Sequence, residues 1–163
     1  MKTPNTHSPT ILVVDDDSGH RVLAREVLER AGFKVDVADN GMDAIESVAR
    51  AKPDLMILDV LMPGLDGFGV CAQLRQDPNF RDLPILMATG LEDVDSIEQA
   101  FEAGATNFVT KPINWTLLVY QVRYILRAAE MERDLREILR FVSSVRPSGI
   151  MPQDAQWTFK DSV

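Results

Sequence analysis

The chain has 163 residues, 45% of them apolar, with a formal charge of −8 at pH 7. That length accommodates one ordinary domain plus an appendage, and the apolar share excludes wholesale disorder. The acidic balance argues against direct nucleic-acid binding, which needs clustered Lys and Arg, and Asp15 and Asp59 cut short the best candidates for a membrane span.

Residues 1–9 are polar, lack a signal-peptide apolar region and read as a flexible leader. Ile11–Asp15 reads as a buried strand. Ser18 offers an N-cap for a helix that turns Val22, Leu23, Val27, Leu28 and Ala31 inward, with Gly32 as its stop. Lys34–Ala38 alternates as a second strand, and Asn40-Gly41 opens a helix with Ala44, Ile45, Val48 and Ala49 inside. Pro53 ends that helix, and Asp54–Asp59 makes the third strand. A loop through Pro63 and Gly64 leads to a helix near Phe68–Gln76, where Cys71 sits at helical spacing as a small core residue. Pro84–Thr89 is the fourth strand, Val94–Ala103 the fourth helix, Thr106–Lys111 the fifth strand, and the last helix begins near Asn114. The single cysteine permits no internal disulfide, which together with the missing signal peptide fits a cytoplasmic protein. His7 and His20 have no partner at metal-ligand spacing and read as solvated surface residues.

Five strands alternating with five helices call for an α/β fold, a parallel sheet covered on both faces. Ligand chemistry in such sheets gathers outside the C-terminal strand ends. Asp15, Asp16, Asp59, Thr89 and Lys111 all fall there. Carboxylates crowded at neighbouring strand ends repel one another unless a divalent cation sits between them. A hydroxyl and an ammonium complete a set suited to accepting a phosphoryl group, with one carboxylate as the attacking atom's source.

The ordered set is specific. Val13-Val14-Asp15-Asp16, the run Leu58-Asp59-Val60-Leu61-Met62-Pro63-Gly64-Leu65-Asp66-Gly67, Ala88-Thr89-Gly90, and Ala103-Gly104-Ala105 through Lys111-Pro112 closely resemble the receiver domain of two-component response regulators over residues 10–127. The resemblance implies a flavodoxin-like, doubly wound five-stranded sheet in the order 2-1-3-4-5. It implies that Asp59 is the phosphoacceptor, served by a sensor histidine kinase or a phosphotransfer protein. Mg²⁺ would be held by Asp16, Asp59 and the backbone carbonyl of Leu61, with Asp15 acting mostly through water. Lys111 would pair with the carboxylate and then the phosphoryl group, aimed by a cis bond to Pro112. Thr89 would move onto a phosphoryl oxygen. Phe108 would turn inward as the switch aromatic, changing the face made by the fourth helix, fifth strand and fifth helix; the bland alternative is a permanently buried core Phe. The positions that tune phosphoryl lifetime in this family hold Leu61 and Leu91, and neither side chain can orient a water, so slow hydrolysis is expected.

Trp115 through Val145 contains no Gly or Pro, and Met131, Leu135, Ile138, Val142 and Val145 recur at spacings of four and three. This stripe, about two heptads long, predicts an extended helix over 128–146 that transmits a signal or forms a homodimer. Arg146-Pro147-Ser148-Gly149 breaks it, and 147–163 reads as a flexible tail in which Trp157 and Phe159 could dock on a surface. The stretch from Lys111 to Leu118 also resembles receivers that precede diguanylate cyclase domains. A regulatory front end of such an output enzyme is therefore a second reading, and a phosphorylation-independent scaffold a third. In the leading reading the chain is no enzyme, its chemistry being confined to its own phosphorylation and dephosphorylation. A metal-dependent phosphatase fits less well, since Leu61 stands where such a hydrolase needs a second acid.

Overall fold

Each apolar run forms a strand and each segment of helical period a helix. The order is β1 (Thr10–Val14), α1 (Ser18–Arg30), β2 (Lys34–Ala38), α2 (Gly41–Arg50), β3 (Leu55–Asp59), α3 (Gly67–Gln76), β4 (Ile85–Thr89), α4 (Val94–Glu102), β5 (Asn107–Thr110) and α5 (Trp115–Ser144). This computed structural model describes residues 8–90 and 94–144. Leu91, Val145, Trp157 and Phe159 lie outside the described residues, as do His7 and most of the predicted leader.

All five strands run parallel in the order β2-β1-β3-β4-β5, the flavodoxin-like arrangement that the resemblance implied. Successive residues of a strand face opposite sides, so each strand feeds two cores. Leu12, Val14, Met56, Leu58, Ile85 and Met87 pack with Ala44, Val48, Val70, Cys71 and Leu74 on one side. Ile11, Val13, Leu55, Ile57 and Leu86 pack with Ala24, Leu28, Leu118, Val122 and Ile125 on the other. Burial on both sides explains why β3 and β4 read as unbroken apolar runs instead of alternating ones.

The first helix departs from expectation in two ways. Its N-cap is Asp17, whose side chain accepts the His20 N–H, and not Ser18. A carboxylate there satisfies an orphan amide and complements the positive helix end, which favours Asp over Ser one position on. Its buried face is set by Ala24 and Leu28, one turn apart, while Val22 and Leu23 are exposed. The inner face follows the 3.6-residue period from Leu28, and the small Ala24 carries it where the bulkier Val22 and Leu23 do not. In α2, similarly, Ala44 and Val48 are buried but Ala49 is exposed. Gly32 follows the first helix with φ of 96°, a left-handed conformation in which a Cβ is strained.

The chain divides into two units, Met1–Ala129 and Glu130–Val163. The described part of the second, residues 130–144, is helical and exposed throughout. Its apolar side chains Met131, Leu135, Ile138, Leu139, Phe141 and Val142 are all more than half exposed.

Candidate functional site

Strand register brings the polar residues level. Val14 pairs with Leu58, so Asp15 and Asp59 leave neighbouring strands side by side. Asp59 pairs with Ala88 and Thr89 with Thr110, which sets Thr89 and Lys111 at the same edge. The Lys111 amide N–H donates to the Thr89 carbonyl at 2.8 Å, fixing the point where the lysine leaves the sheet. The Lys111–Pro112 peptide is cis.

The side chains converge. Lys111 Nζ lies 2.9 Å from Asp15 Oδ2 and 3.0 Å from Asp59 Oδ1. Asp15 and Asp59 are buried, Asp16 is exposed, and the three offer carboxylate oxygens within 4.8 Å of one another. Three hard oxygen donors crowded this closely, one of them open to solvent, fit a divalent cation such as Mg²⁺, which keeps several waters and takes only a few carboxylates. Leu61 begins the loop above, 59% exposed, and its backbone N–H donates to the Asp59 carboxylate. A Cβ on Gly67 would run into the Asp59 carbonyl oxygen, so only glycine lets α3 start against the end of β3.

The charges respond to this crowding. Burial pushes the Asp59 carboxyl up from its ordinary 3.8, and the nearby Asp15 charge adds to the rise. Lys111 and the Leu61 N–H pull the other way without cancelling it. Burial draws the Lys111 ammonium down, but its hydrogen bonds to Asp15 and Asp59 outweigh that and leave it above 10.5. The dependence is one-sided: removing the amine leaves two buried acids without their shared cation, whereas Lys111 keeps Asp15 if the Asp59 charge is lost.

Thr89 is 4% exposed at the end of β4. Phe108, on β5 opposite Met87, is 36% exposed, so it is not the permanently buried core residue of the bland alternative. Two residues at this edge escaped the sequence reading. Arg21 donates from Nη1 to the Asp15 backbone carbonyl at 2.6 Å, and His20 places Nδ1 3.2 Å from Asp15 Oδ2. The only signal for either was position: both sit on the first turns of the helix that follows the acidic run, where side chains reach back over the strand end.

Known proteins resemble this chain in sequence and fold. The chain is similar to the response regulator PleD of Caulobacter vibrioides, 38% identical over 130 residues, covering 80% of this chain and 29% of that protein. It is similar to the response regulator MprA of Mycobacterium ulcerans, 40% identical over 127 residues, covering 78% of this chain and 54% of that one. The chain therefore spans about a third to a half of these relatives' length. Among solved structures it resembles the chemotaxis protein CheY4 of Vibrio cholerae with a TM-score of 0.70 at 28% identity, covering 73% of this chain and 99% of that one. The family model described as the response regulator receiver domain matches residues 11–123, and the chain belongs to that family.

Proposed function

We propose that this chain is the phosphoacceptor of a two-component system, phosphorylated on Asp59 in a Mg²⁺-dependent reaction by a sensor histidine kinase or a phosphotransfer protein. The observation that carries the reading is the Lys111 ammonium shared between Asp15 and Asp59 at 2.9 and 3.0 Å, at the strand ends where this fold gathers ligand chemistry.

In this reading an oxygen of Asp59 attacks the phosphorus of a phosphohistidine. The new P–O bond forms as the P–N bond breaks, and the imidazole leaves with its electron pair. Lys111 stays with the accumulating negative charge, passing from carboxylate to phosphoryl oxygen, and the Thr89 hydroxyl donates to another phosphoryl oxygen. Asp15, Asp16, Asp59 and the Leu61 carbonyl would hold the Mg²⁺, whose chemistry is to neutralise phosphoryl oxygens. The product adds about −1.5 to −2 charges at neutral pH, enough to bias a two-state element nearby. Phe108 and the α4-β5-α5 face are the element proposed to respond. Beyond its own phosphorylation and hydrolysis, the chain has no catalytic role in this reading.

The extended α5 favours a homodimer as the output. Its exposed Met131, Leu135, Ile138 and Val142 repeat at spacings of four, three and four, the seam of a short coiled coil. The formal charge of −8 supports a chain that makes no direct contact with nucleic acid. No helix among the described residues is long and apolar enough to cross a membrane, which is consistent with a cytoplasmic place. The alternative of a front end to an output enzyme is favoured by one observation, the similarity to part of PleD. Intact mass after incubation with Mg²⁺ and a small phosphodonor tests the leading reading: wild type gains one phosphoryl group and Asp59→Asn gains none. Equal uptake by both, or uptake by neither, defeats it.

A further inference from the structure

A solvated surface histidine has no fixed partners, and His20 has two, Asp15 and Asp17. Its Nδ1 stands 3.2 Å from Asp15 Oδ2. Its backbone N–H donates to Asp17 Oδ1 at 3.0 Å, and the Asp17 N–H donates to Asp15 Oδ1 at 2.9 Å. His20 shares the wall of a small cavity of about 10 Å³ with Asp15, Asp59, Trp115 and Leu118. The imidazole is therefore packed beside the acidic cluster, although 44% of the side chain meets solvent.

These contacts hold Asp15 at both oxygens. Oδ1 takes the Asp17 amide; Oδ2 takes Lys111 at 2.9 Å and His20 at 3.2 Å. A carboxylate only accepts, so the atom of His20 facing it serves as a donor, the Nδ1–H of the ring. Lys111 is the contested group here, because the same ammonium reaches Asp59 at 3.0 Å. Without His20, Oδ2 of Asp15 has Lys111 as its one side-chain donor, while the Asp17 amide stays on Oδ1. A buried acid leaning on one amine pulls that amine from its other partner.

We propose that His20 is a positioning residue: by donating Nδ1–H to Asp15 Oδ2, it fixes Asp15 in its cation-binding orientation and leaves Lys111 available to Asp59. It touches neither the cation nor the phosphoryl group and acts through Asp15, as outer partners of metal-ligating carboxylates do. The inference rests on the reading of Asp59 as phosphoacceptor beside a Mg²⁺ site. No change of charge on the ring is involved, so a neutral amide that places a donor at the same reach serves equally.

The test compares wild type with His20→Phe, which keeps a ring but no donor, and His20→Asn, whose amide nitrogen replaces Nδ1. Mg²⁺ affinity is read from Trp115 fluorescence in a Trp157→Phe background, since Trp115 lines the same cavity. The initial rate of phosphate uptake from a small phosphodonor is read beside it. His20→Phe is expected to lose about tenfold in both, and His20→Asn to return both to within about threefold of wild type. Wild-type values in His20→Phe overturn the proposal, as does an Asn variant no better than Phe, which would make ring packing the cause. If the Phe variant melts early, His20→Ala replaces it with the same expectation. If wild type takes up no phosphate at all, the phosphoacceptor reading fails on its own, and the Mg²⁺ affinities of the same variants still decide the role of His20.

Discussion

Lys111 Nζ lies 3.0 Å from Oδ1 of Asp59, and both side chains are largely enclosed. Such a pair stabilises the fold little, because desolvating two charges offsets most of their attraction. Its value is positional. Removing the amine as Lys111→Ala should slow phosphate uptake about 100-fold, the usual cost of deleting one charge-stabilising donor. Lys111→Arg should not rescue it, since a planar fork cannot occupy the place of a point charge between two acids. Initial rates from a small phosphodonor check both expectations.

Chelating divalent cations should abolish phosphate uptake and leave the fold intact. Asp16 is the exposed member of the acidic cluster, so Asp16→Asn should weaken Mg²⁺ binding by about tenfold or more while barely moving the melting temperature. Titration by fluorescence and a thermal melt separate the two effects.

The raised carboxyl of Asp59 carries a stability prediction. An acid whose folded-state pKa is raised favours the folded chain while protonated. That contribution is complete below the unfolded value of 3.8 and is lost as pH rises through the higher folded value. At neutral pH without Mg²⁺ the ionised Asp59 therefore destabilises the fold, and Asp59→Asn should melt higher than wild type. Each kcal/mol gained should appear as about 2–4 °C. The gap should close as pH is lowered toward 3.8, where both side chains are neutral.

Leu61 is 59% exposed over the acidic cluster and offers no polar atom to a water. Leu61→Asn should shorten the lifetime of the phosphorylated form by roughly threefold to tenfold, within reach of a single positioned hydrogen bond. Decay of the phosphorylated mass over time gives the number. An unchanged half-life would leave Leu61 as a mere shield.

The apolar seam of α5 should fail when charged. Leu135→Asp sets a carboxylate in the middle of the stripe and should raise the dissociation constant of a dimer by more than tenfold, a penalty above about 1.4 kcal/mol. Sedimentation of wild type and variant, with and without phosphodonor, reads it. A wild type that is monomeric under both conditions would end the dimer proposal.

Most of the architecture was legible because two signals agreed. Apolar runs such as Leu55-Met56-Ile57-Leu58 mark strands buried on both faces, and helices of 3.6 period lie between them. Strand ends alone bring Asp15, Asp59, Thr89 and Lys111 to one edge of the sheet. The order of the strands came only from the resemblance, since alternation does not reveal which strands are neighbours. Three things were not fully legible. The face of α1 was legible only in part: Leu28 is buried as expected, but Val22 and Leu23 look more apolar than Ala24, and geometry, not hydropathy, puts Ala24 inside. The cap fell on Asp17 because Asp, Asp and Ser in succession are all good caps. His20 was missed because its partner is a side chain at a strand end, a contact that ligand-spacing rules for histidine do not cover.

The central claim is that Asp59, and no other carboxylate of the cluster, carries the phosphoryl group. After phosphorylation in Mg²⁺, borohydride reduces an acyl phosphate to the alcohol, turning the modified aspartate into homoserine, and peptide sequencing by mass spectrometry locates it. Homoserine at position 59 alone is the predicted result. Homoserine at 15 or 16, or at no position in a chain that has gained phosphate, would contradict the account.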